Sequence, residues 1–254
     1  MMISMSNQKE EADLILETFK KEFGMIVVPG DRIEDGPRVD GKQAIAWMQE
    51  HKYSYWSEVE WPGFYVKFLA QDFCTSIPEF RFKPISRAKV HRIKGDFLWD
   101  FRTHDINSDP SVILNDAFDL ENDIVNNKGI GIVLLVIIPD MDVGHEFRDW
   151  VEAQKGGPSE YSIRVRDEEG RPPRVRKKGF FVLEGRVFFL KPGDLDRGVK
   201  EGWMSRNFQK NMRNADQGRR NAKYVLFIDE VPDDILIARK KFNIAPGEDS
   251  GDDL

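Results

Sequence analysis

The segment GDFLWDFRTH, residues 95–104, places an acid and a base two positions apart on a stretch whose side chains alternate in type. On a β-strand, residues i and i+2 point the same way about 6.6 Å apart, so Asp100 and Arg102 can face one phosphate together. Cleaving a phosphodiester needs divalent cations, carboxylates to hold them and a cation to offset the added negative charge. Alternation puts Asp96, Leu98, Asp100, Arg102 and His104 on one face, with Phe97, Trp99 and Phe101 on the other to anchor the strand in a core. The bland alternative is a solvated Asp–Arg pair worth well under about 1 kcal/mol. The company of Asp96 and His104, and the order of the surrounding elements, favour the chemical reading. His91 and His51 carry no spacing signal.

A metal site needs a second acid. On a regular strand Asp96 would lie about 13 Å from Asp100, so a bulge near Gly95 or Leu98 would have to bring it back. Glu58 or Glu60, just before an amphipathic helix, is the alternative, and Asp96 ranks ahead of Glu60. A rival site is Pro139-Asp140-Met141-Asp142 with His145 and Glu146, because open α/β sheets place ligands at the carboxyl ends of buried parallel strands. The same residues also read as turn and helix-cap chemistry.

The elements that must position these groups follow from periodicity. Ala12, Ile15, Phe19 and Phe23, closed by Gly24, predict a first helix capped by Ser6, and MIVVPGD a short strand and turn. A second helix is expected after Asp40. Trp61, Phe64, Tyr65, Phe68 and Leu69 fall at helical spacing with Pro62 in the first turn. FRFK at 80–83, AKVHRI at 88–93 and DFLWDFRTH at 96–104 read as antiparallel strands, with Gly95 in the turn between the last two. A short helix follows between Asn115 and Asn127. GIGIVLLVIIPD is apolar throughout, so it is covered on both faces and is the parallel return strand of a crossover. Beyond it come a helix in HEFRDWVEAQ, a basic loop or hairpin through GGPSEYSIRVRDEEGRPPRVRKK, and strands in FFVLEGRVFFL and YVLFID. No internal repeat is visible.

The composition, with 254 residues of which 40% are apolar, supports one large core or a core with an attached lobe. We expect a single catalytic domain over 1–244, with a core over about 41–154, a DNA-binding elaboration over about 155–244, and an acidic disordered tail from 245. The longest apolar run, Ile130 to Ile138, is half the length of a membrane span, and the N-terminus has no secretory pattern, so a cytoplasmic protein is expected. Cys74 stands alone and reads as a small core residue. The net charge of −6 is segregated: the last ten residues hold four acids and no base, while Arg164–Lys178 holds seven bases against three acids and Trp203–Lys223 six against one. Arginine pairs with guanine, and Asn or Gln with adenine, in the major groove, and other bases hold phosphates. The candidates for DNA contact are therefore Arg174, Arg176, Lys177, Arg206, Asn207, Gln209, Lys210, Arg213, Asn214 and Arg219. The alternative is a solvated polar helix.

The order from Trp61 to Ile138, with GDFLWDFRTH on its third strand, resembles the restriction-endonuclease-like nuclease superfamily. That superfamily carries a Pro-Asp or lone Asp followed by Asp/Glu-x-Lys on a neighbouring strand. The resemblance covers about a third of the chain and implies an α/β fold. Its core would be helix, antiparallel strands, helix and buried parallel strand, with C-terminal strands and a basic loop added. It further implies a type II restriction endonuclease that cleaves double-stranded DNA with Mg²⁺ as a homodimer. Asp100 would bind metal with Asp96, and Arg102 would stand at the lysine position, joined in the catalytic group by Glu60 and His104. Arg102 departs from the pattern, because a guanidinium stays protonated and cannot act as a base. The other readings are a nucleic-acid-binding protein without chemistry and a metal-dependent phosphohydrolase built on Asp140 and Asp142.

Overall fold

A computed structural model describes residues 5–24, 26–28, 32–34, 36–75, 83–87, 90–168, 170, 175–207 and 222–243. The protein is a mixed α/β structure built on a seven-stranded mixed sheet. Three of its strands are β4 (Lys83–Arg87), β5 (Val90–Lys94) and β6 (Leu98–Asp105), which form an antiparallel meander. Helix α4 (Ala117–Asn127) then carries the chain back so that β8 (Ile130–Met141) lies parallel to β6. Strand β9 (Lys177–Leu190) returns antiparallel beside β8. Its outer edge pairs with β3 (Val39–Asp40) near one end and with β12 (Leu236–Lys241) further along. A parallel pair cannot be joined by a tight turn, which is why α4 intervenes between β6 and β8.

Both faces of the sheet are covered, and β8 shows it residue by residue. Val133, Leu135 and Ile137 face a core shared with α1 (Met5–Phe23), α2 (Gly41–Glu50), α3 (Trp61–Thr75) and α5 (Glu146–Gln154). Ile130, Ile132 and Leu134 face a second core under α4 and α7 (Asp194–Glu201). That second core is closed by a small sheet of β7 (Ser111–Asp116), β10 (Met204–Asn207) and β11 (Lys223–Phe227). Three layers around one sheet give every apolar stripe a partner. The Trp99 ring lies across Gly131 of β8, where an added Cβ would come within 2.1 Å of it, so the site demands glycine.

Several elements match the sequence reading: α1 with β1 (Ile26–Val28) after it, α2 capped by Asp40, α3, α4 entered through Asp116, β8, α5, β9 and β11. Others depart from it. Helix α1 spans Met5–Phe23, so Ser6 lies inside its bounds and not before them, as a cap would. The first meander strand is Lys83–Arg87, later than FRFK, whose residues 80–82 lie outside the described set. The segment after α5 forms a helix, α6 (Glu160–Asp167), where a loop or hairpin is expected. Ser159 caps it by accepting from the backbone N–H of Ser162. Strands β2 (Arg32–Glu34), β7, β10 and β12 and helix α7 are not among the expected elements; each spans eight residues or fewer, too short for periodicity to single it out. No described helix is long and apolar enough to cross a membrane.

Candidate phosphate-binding site at the fork of β5 and β6

Strand β6 pairs with β5 only through Leu98, Trp99 and Asp100, opposite Lys94, Ile93 and Arg92. Beyond Asp100 the two strands separate: β5 continues to Val90 against β4, and β6 continues to Asp105 against β8. Asp100 therefore stands at the fork. Trp99 and Phe101 are held in the core under α1 and α3, so alternation turns Asp100 toward the face of α4, as the sequence predicts.

Asp100 is fully buried and is met by three cations. The Arg102 guanidinium grips it side-on, with Nε 2.8 Å and Nη2 2.7 Å from Oδ2. Lys67 Nζ lies 3.7 Å from Oδ1. Arg92 is its cross-strand partner, ion-paired in turn with Asp123 of α4. Arg102 Nη2 also donates to the side-chain oxygen of Asn115 at the end of β7. Helix α3 packs on the opposite face of the sheet, so Lys67 reaches Asp100 through the fork. Gly63 lets the helix sit close over the freed part of β6, since a Cβ there would lie 3.3 Å from Thr103 Oγ1.

The electrostatics follow from this enclosure. Burial raises the Asp100 carboxyl, but Arg102, Lys67 and Arg92 outweigh burial and hold it below the ordinary carboxylate range. Burial, reinforced by Arg102, pushes the Lys67 ammonium down to about 8 against the pull of Asp100. Its proton is exchangeable near neutral pH, which Arg102 cannot offer. Three cations against Asp100 and the part-exposed Asp123 leave the network net positive. Three buried donors of this network, Arg92 Nε and Nη2 and Asn115 Nδ2, have no hydrogen-bond partner among the described residues, while the acceptor Asp100 Oδ1 faces Lys67 Nζ. Buried donors are ordinarily satisfied, so these three are the groups of the network that could still take the oxygens of an anion.

The other sequence candidates are placed apart. Asp96 is exposed in the 95–97 bend, where its backbone N–H donates to Glu11 Oε1. The same Glu11 accepts from Trp99 Nε1, and the β5–β6 ladder is regular from Leu98 to Asp100, without the bulge that would return Asp96 to Asp100. Glu60 precedes α3, about 10 Å along the helix from Lys67, and pairs with Lys177 of β9 at 2.9 Å. His104 shares the face of Asp100 but opens on a neighbouring cleft. A Mg²⁺ ion requires gathered carboxylate oxygens, whereas Asp100 stands as one carboxylate enclosed by cations. No group of three His, Cys, Asp or Glu side chains suited to a metal occurs among the described residues. The residues as placed do not fit the Mg²⁺ site that the resemblance implies.

The rival acids at the end of β8 are held by other bonds. Asp140 is paired with Arg38 and Lys178. The buried Asp142 accepts from the backbone N–H of Arg148 in the first turn of α5. Of the expected DNA contacts, Arg176 is buried and Lys177 is ion-paired. Arg206 is exposed, lies over the Tyr224 ring and pairs with Glu121, while the Asn207 amide donates to Ser205. Arg174, Gln209, Lys210, Arg213, Asn214 and Arg219 lie outside the described residues. Sequence reasoning missed Lys67, Arg92 and Asn115. Lys67 left one sign, as the lone charge in the apolar run Trp61–Ala70.

Comparison of the chain with protein-family models, with curated proteins and with solved structures gives no match.

Proposed function

We propose that the chain is a nuclease acting on double-stranded DNA, with a core of the restriction-endonuclease-like type, and that it meets the phosphodiester at Lys67, Asp100 and Arg102. The observation that carries this reading is the buried, net-positive network at the fork of β5 and β6, with three donors that have no partner among the described residues. The order of a helix, a three-stranded meander, a crossover helix and a parallel strand supports it, being the order that the resemblance implies. In this reading Arg102 offsets the charge on the phosphate, and Asp100 orients both cations. Lys67 is the group able to give or take a proton, in place of the lysine missing at position 102. Site-specific cutting by a homodimer belongs to the same proposal, since a twofold assembly would present the fork to both strands.

The saturation of Asp100 by cations favours a second reading, in which the same network grips a phosphate and no bond is cut. Incubating the purified chain with supercoiled plasmid, with Mg²⁺ or with a chelator, separates the two. Discrete fragments that disappear in Lys67→Met support the nuclease. Retarded but intact DNA under both conditions assigns binding without cleavage. DNA that is neither cut nor retarded refutes both.

A further inference from the structure

A second site lies beside the fork, on the same face of the sheet. Pairing across β6, β8, β9 and β12 aligns His104 with Val136, Val136 with Glu184 and Glu184 with Lys241. The next row places Arg186 directly opposite Arg239. Like charges opposed across an antiparallel pair repel at a strand separation of about 4.8 Å. Glu184 resolves the conflict: its Oε1 accepts from Arg186 Nε at 2.6 Å and its Oε2 from Arg239 Nε at 2.8 Å. One buried carboxylate thus fixes two guanidinium groups side by side. Arg186 spends Nη1 on Asp229, at 3.5 Å, while Arg239 remains half exposed, and among the described residues no hydrogen bond engages its terminal nitrogens. With Lys241, the group holds three bases against two acids.

These residues line a cleft of about 410 Å³, within the range of small-molecule sites at about 300–1,000 Å³. The rest of its wall mixes apolar Ile106, Pro110, Val136, Leu183 and Ile228 with polar Ser108 and Asn243. Burial pushes the His104 ring below its ordinary value, so at neutral pH it offers one donor and one acceptor without adding charge. Guanidinium groups side by side can recognise a phosphate through directed, paired hydrogen bonds, which an ammonium group offers only as a point charge. The apolar residues of the lining suit a flat organic body, and the volume of about 410 Å³ suits about one nucleotide.

We propose that this cleft binds a nucleoside phosphate, its phosphate on Arg239 and Arg186 and its base against Ile106, Pro110 and Ile228. The shared chemistry is a nucleotide unit, supplied either free or as the phosphorylated end of a nucleic-acid strand. The site is separate from the fork and stands whether or not the fork cuts DNA.

Calorimetric titration of the full-length protein tests it with four probes: a nucleoside 5′-monophosphate, the unphosphorylated nucleoside, inorganic phosphate, and a short single-stranded oligonucleotide with or without a 5′-phosphate. Saturable binding of the monophosphate is expected, at least tenfold tighter than either the nucleoside or inorganic phosphate. Arg239→Ala, an exposed change that leaves the fold in place, should weaken it tenfold or more, and Arg239→Lys should restore only part of the loss. Binding confined to the 5′-phosphorylated oligonucleotide and sensitive to Arg239→Ala supports the strand end as the source. No saturable binding of any phosphorylated probe, equal binding of inorganic phosphate and monophosphate, or binding unaffected by Arg239→Ala each overturns the proposal.

Discussion

Replacing Lys67 by methionine should make the protein more stable and less active. Lys67 is 7% exposed, and its proton affinity falls from an ordinary 10.5 to about 8 because burial and Arg102 oppose its charge. At about 1.4 kcal/mol per tenfold change in proton affinity, keeping the amine ionised at pH 7 costs the fold roughly 3 kcal/mol relative to a neutral side chain. Methionine keeps the length and apolar stem without the charge, and Asp100 retains both bonds from Arg102. The variant should therefore gain up to roughly 3 kcal/mol at pH 7, on the order of 6–12 °C in Tm for a chain of this size. A folded-state value below the unfolded one means that the unfolded chain binds more protons between about pH 8 and 10.5. Wild-type stability should accordingly rise with pH through that window, and the gap to Lys67→Met should narrow. Urea unfolding of both proteins at pH 7 and pH 9.5 measures it. A variant that is destabilised at pH 7, with a gap that does not change with pH, would show Lys67 to be a structural counter-ion of Asp100 and sink its proton-transfer role.

Three further outcomes follow from the site. Asp100→Asn removes the one carboxylate facing Lys67, Arg92 and Arg102, so it should lose about 3–5 kcal/mol in denaturant melts as well as any cleavage. Because the Asp100 value is lowered by folding, its contribution is present above the ordinary 3.8 and lost as pH falls through the folded value; the acid-unfolding curve of the variant should lack that component. Arg102→Lys should keep measurable plasmid cleavage and Arg102→Ala none, since the ammonium preserves charge but not the side-on grip; equal rates in all three proteins would return Arg102 to a structural ion pair. Asp142→Asn retains an acceptor for the Arg148 N–H and should leave DNA cleavage and binding unchanged, whereas Asp142→Ala should cost about 1 kcal/mol in Tm-based stability. Loss of activity in Asp142→Asn would move the site to the end of β8.

The sequence alone determined what depends on local periodicity. The period-two run GDFLWDFRTH put Asp100 and Arg102 on one face with Trp99 and Phe101 on the other, and the unbroken apolar run from Ile130 required a strand covered on both sides. The helical spacing of Trp61 to Leu69 required an apolar surface beneath α3. Distance in the chain decided the rest. Lys67 becomes a partner of Asp100 only because β5 leaves β6 at Asp100 and opens a path through the sheet, and nothing in a residue's own neighbourhood encodes where two strands part. Asp96, only four residues before Asp100, is drawn into a turn by Glu11 of α1, an acid 85 positions away. The Arg186–Glu184–Arg239 clamp likewise joins residues 55 positions apart through the register of β9 against β12. Periodicity fixes which way a side chain points, but the charges it meets there come from elements that only the packing of the whole sheet brings alongside.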